Sequence, residues 1–408
     1  MNILLINHYA GSSTHGMEYR PYYLAREWVR LGHEVTIAAA SFSHLRTAAP
    51  VVQGRVTEQV IDGIRYLWYR TPAYGGNKVG RVLNILSFVG NLLWDRRRLA
   101  RSCRPDVVIA SSTYPLDNLP AHRIAQAASA KLVYEVHDLW PLTPVELGQM
   151  SPRNPFIVLM QWAENFAYRK ADRVVSTLPK AQEHMCQHGM AAEKFACVPN
   201  GVDVTEWQAA TATLPEDHDR VLTNLKGEGR FVVGYAGGHG ISNALDAFIE
   251  AAGLLHAQPL AFVLVGQGPE KERLRKKAEE QKGANVVFLP PVPKSSVPAL
   301  LERMDSLYLG WKKHPLYRFG ISPNKLLDYM MAAKPVVHAV AAGNDSVAES
   351  GCGVSCEPEN PRAIADAVLQ LAGCSSEERE TMGRRGKNYV MLRHDYAVLA
   401  RQFIEVIQ

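Results

Sequence analysis

The sequence has few of the features that mark secreted, membrane-spanning or metal-binding chains. Its six cysteines are scattered, with no CxxC pair and no cluster of cysteine and histidine at zinc-binding spacing, so buried thiols in a reducing compartment are expected. The opening stretch, MNILLINHYAGSS, has neither a basic leader nor a long apolar run. A secretory signal is therefore not predicted, and we expect a cytoplasmic protein.

Composition excludes two further classes of protein. Hydrophobic residues make up 47% and charged residues 21% of the chain, without a low-complexity tract, which is typical of a folded rather than a disordered chain. The net charge of +5 over 408 residues is a mild excess and predicts no nucleic-acid partner. Because this length exceeds one ordinary hydrophobic core, two domains are expected.

Short apolar runs alternate with helical patterns, which predicts an α/β fold with parallel sheets covered on both faces. The pattern stops in a polar segment near residues 203 to 229 and then restarts, so two doubly wound halves are expected to face each other across a cleft. The candidate strands are residues 2–7, 34–40, 106–112, 131–136, 173–178, 231–237, 261–268, 285–290, 306–311, 334–340 and 353–358.

The predicted domains are residues 1–203 and 204–389. A last helical pattern, within residues 390–408, has apolar positions at helical spacing. We expect this helix to pack back on the first domain, with closure of the second domain as the alternative.

The stretch GISPNKLLDYMMAAKPVV, residues 320–337, predicts a helix start with an unusual first turn. Ser322 is a good N-cap, and Pro323 fits the first helical position. The unpaired amides of such a turn, including that of Asn324, and the charge of Lys325 suit a phosphate or diphosphate. The alternative is an ordinary capped helix with a surface lysine.

Two glycine turns in the same half strengthen the diphosphate interpretation. In YAGGHGISNALDAF, Gly238, His239 and Gly240 lie between a strand and a helix, and Gly266 does so in VGQGPEKERL. Glycines there let backbone amides approach a phosphate closely. Three strand-end segments in one half therefore predict a nucleotide diphosphate.

In combination, these motifs resemble the family 4 retaining glycosyltransferases of the GT-B fold over essentially the whole chain. CVPNGVD resembles the family's inter-domain motif, and GISPNKLLDYMMAAKPVV resembles its donor-binding segment. The variant GGHG and the opening LLINHYAGS…GMEYRPYYLAREW resemble the bacterial O-antigen and capsule subgroup. The resemblance implies transfer of N-acetyl-L-fucosamine, or a related acetamido or deoxy sugar, from a UDP-sugar to a lipid-linked saccharide.

Donor-side roles follow from the resemblance residue by residue. Asp328 stands where the family's second glutamate holds the ribose hydroxyls, whereas Gly320 stands where the first glutamate contacts the transferred sugar, next to Ile321. The family's arginine and lysine pair is missing from the first loop of the second half. Diphosphate neutralisation is therefore expected from Lys325, Arg318 and helix amides.

The first half is expected to supply the other wall of the cleft. In EVHDLWP, His137 follows a strand end, and the resemblance implies that it contacts the donor sugar and the reaction centre. Asp138 either orients this imidazole or serves a turn. The loop HYAGSSTHGMEYR supplies acceptor-side candidates, each of which has a solvated loop residue as its alternative: His15, Gly16, Glu18 and Arg20.

Residues 77–104 predict a membrane contact. No charged residue occurs from Val82 to Trp94, a run too short to span a bilayer. An apolar helix with basic ends can lie on an anionic membrane surface, with Trp94 at the interface; a buried crossover helix is the alternative. The predicted contact residues are Arg81, Trp94, Arg96, Arg97 and Arg98.

The resemblance implies metal-independent transfer, in which the leaving diphosphate helps to deprotonate the acceptor hydroxyl. Accordingly, we predict no metal and no cofactor, and we expect neither paired carboxylates nor an Asp-x-Asp divalent-metal motif. Expected partners are a nucleotide sugar, a lipid diphosphate-linked saccharide and the cytoplasmic face of an inner membrane. Two alternatives remain: a nucleotide-sugar epimerase of the same fold and a catalytically silent, membrane-associated nucleotide-sugar-binding protein.

Overall fold

Two units make up the chain in the computed structural model, which describes residues 1–16, 19–44, 46–75, 78–281 and 285–408. The N-terminal unit comprises Met1–Asn200 and Tyr396–Gln408, and the C-terminal unit comprises Gly201–Asp395. The chain thus returns to the first unit for its last segment. The returning segment begins at Tyr396 and lies within residues 390–408.

The N-terminal unit contains an eight-stranded sheet in the order β3-β4-β2-β1-β5-β6-β7-β8. Every described neighbouring pair is parallel except β3 and β4. The strands are β1 Asn2–Ile6, β2 Glu34–Ala40, β3 Val56–Ile61, β4 Ile64–Tyr69, β5 Val107–Ala110, β6 Lys131–Val136, β7 Arg173–Ser176 and β8 Phe195–Cys197.

Sequence patterns predicted five of these strands but missed β3, β4 and β8. Strand β3 is largely exposed at the sheet edge and reads VTEQVI, so it lacks the continuous apolar run of a buried parallel strand. Strand β8 has only three residues, all partly exposed. The fold is therefore α/β as predicted, with one antiparallel edge strand added.

Helices cover both faces of this sheet. The cluster of α1 and α16 is held by Trp28, whose Nε1 donates to the Ala400 carbonyl over 3.2 Å and whose ring meets Phe403 edge-on at 5.2 Å. Helices α2, α3 and α5 pack successively against one another. The helices are α1 Arg20–Arg30, α2 Lys78–Cys103, α3 Asn118–Ala128, α4 Leu142–Glu146, α5 Pro155–Lys170, α6 Gln182–Gln187 and, at the chain's end, α16 Tyr396–Ile407.

The C-terminal unit contains a six-stranded sheet in the order β11-β10-β9-β12-β13-β14, parallel in every described pair. Each strand coincides with a predicted apolar run, except that β10 begins one residue before its run, at Leu260. The strands are β9 Phe231–Ala236, β10 Leu260–Val265, β11 Val286–Leu289, β12 Ser306–Gly310, β13 Val336–Ala339 and β14 Gly353–Ser355.

Helices on both faces complete this unit. They are α7 Val204–Ala209, α8 Glu216–Gly227, α9 Leu245–Leu254, α10 Lys271–Glu280, α11 Val297–Glu302, α12 Asn324–Met331, α13 Ser346–Ser350, α14 Pro361–Gly373 and α15 Ser376–Arg393.

Strand order locates the candidate site in each unit. In the C-terminal sheet the chain moves one way from β9 and the other way from β12, so their shared boundary is a topological switch point. The equivalent boundary in the N-terminal sheet lies between β1 and β5. Ligands of parallel α/β sheets bind beyond the carboxyl ends of strands at such points.

Candidate functional site

Helix α12 is fastened directly to the carboxyl end of β9. The Tyr329 hydroxyl accepts from the Ala236 amide over 2.9 Å and donates to the Ala236 carbonyl over 3.1 Å. Since Tyr329 is buried, this double contact fixes the height of α12 above the sheet. It sets the first turn of α12 beside the glycine turn that follows β9.

Lys325 is the charged group that this docking delivers. Its Nζ donates to the Tyr235 hydroxyl over 2.9 Å and to Asn243 Oδ1 over 2.7 Å, and it lies 4.8 Å from the centre of the Tyr235 ring. Burial lowers the pKa of the Lys325 ammonium to about 8. The group is therefore a cation with only neutral hydrogen-bond partners, which is the arrangement expected where an anion binds.

The glycine turn presents alternate amides. The amides of Gly237 and His239 donate to the carbonyls of Val265 and Gln267 over 2.9 Å each. Those of Gly238 and Gly240 have no backbone partner within the described chain. Two amides one residue apart can therefore donate to one anion, as in other phosphate-binding turns.

Glycine is required at two points where the turns meet. Gly237 has a φ of +154°, and a Cβ there would lie 2.7 Å from Lys325 Cδ. Gly266 has a φ of +149°, and a Cβ there would lie 1.9 Å from the Gly237 carbonyl oxygen. The structure thus brings the glycine turns and the start of α12 into one cluster. Their role in donor binding stays a prediction.

The His239 side chain is enclosed by the protein. Its ring is fully buried, and neither ring nitrogen has a hydrogen-bond partner in the described residues. Burial, aided by the charges of Lys271 and Lys325, lowers the pKa of His239 to about 4. The imidazole is therefore neutral and lies beneath the turn, and the predicted place of His239 in a diphosphate site stays a prediction.

The start of α12 also corrects the sequence prediction. The helix begins at Asn324, and the N-cap position is occupied by Pro323, not Ser322, without a side-chain cap. The Ile321 amide donates to Asn344 Oδ1 over 2.7 Å, and Asn344 Nδ2 donates to the Ile321 carbonyl over 3.1 Å. Asn344, which the sequence reasoning missed, thereby holds the segment extended until Pro323.

Backbone conformation explains the missing carboxylate at residue 320. Gly320 has a φ of +98° and a ψ of 171°, which side-chain-bearing residues rarely adopt. A glutamate in this conformation would be strained. The departure from the family pattern is therefore built into the loop and is not confined to one side chain.

Asp328 and Arg318 lie on either side of this segment. Burial raises the pKa of the half-buried Asp328 carboxyl to about 7, against the opposing charge of Lys294. Arg318 Nη1 donates to the Pro315 carbonyl over 2.7 Å, and its guanidinium lies 4.2 Å from the Phe319 ring centre. Arg318 is thus folded onto its own turn, so its predicted diphosphate contact would require a change of rotamer.

In the N-terminal unit, His137 belongs to a hydrogen-bonded relay with Ser111 and Glu135. Neither of these two partners was predicted from the sequence. The Ser111 hydroxyl donates to Glu135 Oε2 over 2.6 Å and lies 2.9 Å from His137 Nε2. Because a hydroxyl has one proton, His137 Nε2–H donates to Ser111. Nδ1 is thus the ring nitrogen that this contact does not use.

Arg20 neutralises Glu135. Because its guanidinium is buried in this ion pair, it is not available for the acceptor-side role that was predicted for it. The two side chains approach within 2.9 Å and are 3% and 0% exposed, and Arg20 also donates to the carbonyls of Val198 and Pro199. Burial raises the pKa of Glu135, but the charges of Arg20 and His137 outweigh it and hold that pKa at about 2. Glu135 was detectable, since residues two apart on a strand share a face.

Asp138 serves the turn and does not orient His137. Its Oδ1 accepts from the Leu139 amide over 2.9 Å and from the Thr143 hydroxyl over 2.7 Å. Burial raises the pKa of this carboxyl, although these hydrogen bonds oppose the shift. The turn alternative for Asp138 is therefore the one that its contacts support.

The loop after β1 is only partly described, because Glu18 lies outside the described residues. His15 is buried, and its Nδ1 lies 2.8 Å from Ser12 Oγ. Gly16 has a φ of +81° and pairs with the backbone of Ser12. Both residues shape the loop, and their predicted contact with an acceptor stays a prediction.

Helix α2 has one buried apolar face, as expected of a crossover helix, and one exposed apolar face. The predicted membrane contact of the exposed face stays a prediction. Ile85, Phe88 and Leu92 are buried. The exposed face ends in Trp94 and Arg97, and a hollow of about 310 Å³ beside Trp94 is lined by Arg55, Ser87, Gly90 and Asn91. The exposed apolar side chains, with their exposed fractions, are Val79 69%, Leu83 56%, Leu86 46% and Trp94 79%.

Three of the predicted membrane-contact arginines are held by the protein itself. Arg81 Nη2 lies 3.3 Å from the Tyr9 hydroxyl, Arg96 donates to the Leu93 carbonyl, and Arg98 pairs with the buried Asp95 at 2.7 Å. Arg97 is exposed. In the parts of the chain that are described, no helix combines the length and apolar character needed to cross a bilayer.

An Asp-x-Asp pattern does occur, but outside the donor-binding segments. Asp217 and Asp219 lie in the first turn of α8, where Asp217 pairs with Arg220 at 2.5 Å and Asp219 pairs with Arg303 at 3.0 Å. Both carboxylates are more than half exposed and have cationic partners. They therefore give no indication of a divalent-metal site.

Two domain families match the chain in succession. Residues 15–201 match the glycosyl transferase 4-like domain, and residues 230–373 match the glycosyl transferases group 1 domain. The matches correspond to the N-terminal and C-terminal units. Together they span most of the chain.

Curated relatives share this organisation at low identity. The probable glycosyltransferase WbjE of Pseudomonas aeruginosa is 21% identical over 361 residues, which cover 86% of this chain and 88% of that protein. The putative colanic acid biosynthesis glycosyl transferase WcaI of Escherichia coli K12 is 28% identical over 201 residues, covering 48% of each chain.

Solved structures confirm the predicted GT-B fold. Sucrose-phosphate synthase from Thermosynechococcus elongatus superimposes with a TM-score of 0.72 at 15% identity, over 99% of this chain and 97% of that one. Anabaena HepE, solved in complex with UDP and glucose, superimposes with a TM-score of 0.66 at 17% identity, over 99% and 98% of the two chains.

Replacing Glu135 with glutamine tests the relay. The change would leave Arg20 buried without a counter-charge, so we expect the free energy of unfolding at pH 7 to fall by about 3 to 5 kcal/mol. Because the pKa of Glu135 is depressed from 4.5 to about 2, the difference from wild type should be full above pH 4.5 and shrink as pH falls towards 2. Urea titrations at several pH values measure both effects.

Glu58→Gln is the matched control for this charge removal. Glu58 pairs with Arg65 at 2.7 Å but is 51% exposed, so its loss should cost no more than about 1 kcal/mol. A Glu135→Gln effect as small as that of the control, or one that does not change with pH, would contradict the assignment of Glu135 as the buried counter-charge.

Proposed function

We propose that this chain, which matches a glycosyl transferase 4-like domain followed by a glycosyl transferases group 1 domain, transfers a sugar from a UDP-sugar to a lipid-linked saccharide acceptor, with retention and without a metal. The product would be a unit of a bacterial surface polysaccharide such as O-antigen or capsule. The naming of one relative for colanic acid biosynthesis and the UDP in the HepE structure support this proposal.

The observation that carries the proposal is the position of Lys325. A half-buried ammonium whose described hydrogen-bond partners are neutral meets the glycine turn at the switch point of the C-terminal sheet. The unpaired amides of Gly238 and Gly240 and the first turn of α12 add donors and a positive dipole. In the proposal, these groups bind the donor diphosphate and stabilise the charge that develops on it as the glycosidic bond breaks.

Asp328 completes the proposed nucleotide site. It lies one turn after Lys325 on α12, and its carboxylate can accept two hydrogen bonds from the ribose hydroxyls. Hydrogen bonds donated by a bound ribose would also favour the ionised form of the Asp328 carboxyl and so oppose the burial that raises its pKa.

His137 is the proposed contact of the N-terminal unit with the reaction centre. Its Nε2 is engaged by Ser111, and Glu135 stands 3.3 Å away. These two contacts hold the imidazole in place, and in the proposal His137 contacts the donor sugar. The proton of the acceptor hydroxyl passes to a diphosphate oxygen on the same face of the sugar, which needs no protein base.

The transferred sugar is proposed to be N-acetyl-L-fucosamine or a related acetamido or deoxy sugar. Gly320 places no carboxylate at the sugar position, and its positive φ disfavours one. A donor that lacks the hydroxyl gripped there loses no hydrogen bond. Ile321, which is buried beside it, adds an apolar wall suited to a methyl group.

The acceptor is proposed to lie on a membrane surface, on the cytoplasmic face of the inner membrane, with α2 as the contact. The exposed apolar residues of α2 follow one another at helical spacing, and Arg97 and Arg101 are exposed at its carboxyl end. Such a face can enter the headgroup region of an anionic bilayer. Arg81, Arg96 and the exposed Arg98 are each engaged by another group of the protein and in the proposal contribute less to the membrane contact.

Nucleotide binding tests the donor site. In a metal-free thermal-shift panel of UDP, GDP, dTDP and CMP, UDP should stabilise the protein most. Lys325→Ala should weaken UDP binding by about 10- to 100-fold because a charge-assisted hydrogen bond is lost. Since the pKa of Lys325 is about 8, UDP affinity should fall as pH rises through 8, and Lys325→Arg should remove that dependence.

The exposed Lys276 on α10 provides the control, since Lys276→Ala removes the same charge outside the proposed site. It should leave UDP affinity unchanged. Equal affinity in wild type and Lys325→Ala would refute the diphosphate role. Absence of any nucleotide-induced shift would favour a silent or acceptor-dependent protein.

Donor competition tests the sugar. With a lipid diphosphate saccharide as acceptor, turnover should be greater with UDP-N-acetyl-L-fucosamine or another UDP-acetamido sugar than with UDP-glucose, and the product should keep the donor's anomeric configuration. Equal or better turnover with UDP-glucose would contradict the proposed sugar class. Sugar conversion without transfer would instead identify an epimerase.

Vesicle binding tests the membrane contact. Trp94→Ala should reduce partitioning onto anionic phospholipid vesicles about 10-fold, because one large apolar side chain would no longer be buried in the membrane. Leu392→Ala is the control, because Leu392 is 73% exposed on the C-terminal unit. If both variants sediment with vesicles as wild type does, α2 is not the contact.

A further inference from the structure

A cluster of possible metal ligands lies in the N-terminal unit, outside the segments assigned to the donor or acceptor. Glu164 on α5 and His184 and His188 at α6 each offer one ligand atom, and these atoms lie within 4.8 Å of one another. It contains no cysteine, and its residues do not follow the cysteine and histidine spacing that was considered in the sequence analysis. The two histidines are four residues apart, and the His188 amide donates to the His184 carbonyl over 3.2 Å, so both rings share one helix face.

The three side chains converge without closing hydrogen bonds between Glu164 and the rings. His184 Nε2 stands 4.0 Å from Glu164 Oε1, which is beyond hydrogen-bonding distance, and the two imidazole ring centres are 4.5 Å apart. The Glu164 side chain is 1% exposed and that of His184 11%. A gap between a buried carboxylate and two imidazoles has the size and chemistry of a cation site.

Neighbouring polar groups hold these ligands in place. Tyr168 donates to Glu164 Oε1 over 3.0 Å. Gln161 Nε2 donates to Glu164 Oε2 over 2.7 Å and to Asn165 Oδ1 over 2.8 Å, and it also lies 3.0 Å from His188 Nδ1. His188 Nδ1 lies 3.2 Å from Asn165 Oδ1. Such outer partners orient metal ligands and raise metal affinity.

We propose that Glu164, His184 and His188 form a zinc site that ties α5 to α6. Two imidazoles and one carboxylate are a common zinc ligand set, with water as the fourth ligand. Zinc bonds of about 2.0 to 2.1 Å place tetrahedral ligand atoms about 3.3 Å apart, so the side chains close by roughly 1 Å. The hard, oxygen-rich sites preferred by Mg²⁺ and Ca²⁺ do not resemble this set.

The site acts on structure and is separate from the proposed transfer reaction. It fastens the crossover helix before β7 to the short helix after it. None of its ligands belongs to the His137 relay or to the Lys325 cluster. Zinc should therefore stabilise the protein whether or not a nucleotide is present, and failure of the proposed function would leave this inference standing.

Zinc titration of the full chain, purified without a histidine tag and stripped with chelator, tests the site. We expect one equivalent of Zn²⁺ to bind and the thermal midpoint to rise with zinc concentration, whereas Mg²⁺ should have no effect. Co²⁺ should give the intense visible absorption of a tetrahedral site. His184→Gln and His188→Gln should each weaken zinc binding by more than about 100-fold, since loss of even an outer partner costs 10- to 100-fold.

The control is His256→Gln, which removes an exposed imidazole from the C-terminal unit and should bind zinc as wild type does. Gln161→Ala provides a variant that keeps all three ligands, and it should bind zinc about 10- to 100-fold more weakly. The proposal is overturned if wild type shows no zinc-dependent shift at micromolar Zn²⁺, or if the His184→Gln/His188→Gln double variant shifts as much as wild type.

Discussion

The buried ion pair between Arg20 and Glu135 is the interaction on which the N-terminal site depends. It joins the first residue of α1 to the strand that precedes His137, and Arg20 also donates to the carbonyls of Val198 and Pro199, where the chain leaves this unit. A charge pair removed from water is costly unless its remaining groups are satisfied. Here Ser111 and His137 complete the set, so the geometry of His137 follows from neutralising Glu135.

The C-terminal site treats buried charge in the opposite way. Lys325 is surrounded by a phenol and an amide, with no carboxylate among its described hydrogen-bond partners. The protein therefore bears the desolvation of an ammonium that its own groups do not neutralise. A diphosphate would supply the missing negative charge, which explains why a chain lacking the family's arginine and lysine pair can still be expected to bind one.

Sequence patterns predicted those parts of the molecule that depend on local chemistry. Apolar runs located most of the parallel strands, though not β4 and β8, and glycines located the turns where backbones meet, as at Gly237 and Gly266. Side-chain partners from distant segments were missed, as for Asn344, which fixes the residue before Ser322. The cap was misassigned for this reason: Ser322 has the right chemistry, but the contact of Ile321 delays the helix.

Gly320 shows how a substitution in a family motif can extend into the backbone. With a φ of +98°, the residue occupies a region in which a side chain costs about 1 to 3 kcal/mol. Restoring a glutamate would therefore strain the loop or shift it, together with Ile321 and the Asn344 clamp. Donor preference in this protein is thus expected to depend on loop conformation and on Asn344, and a single side-chain exchange at residue 320 would not convert it to the family pattern.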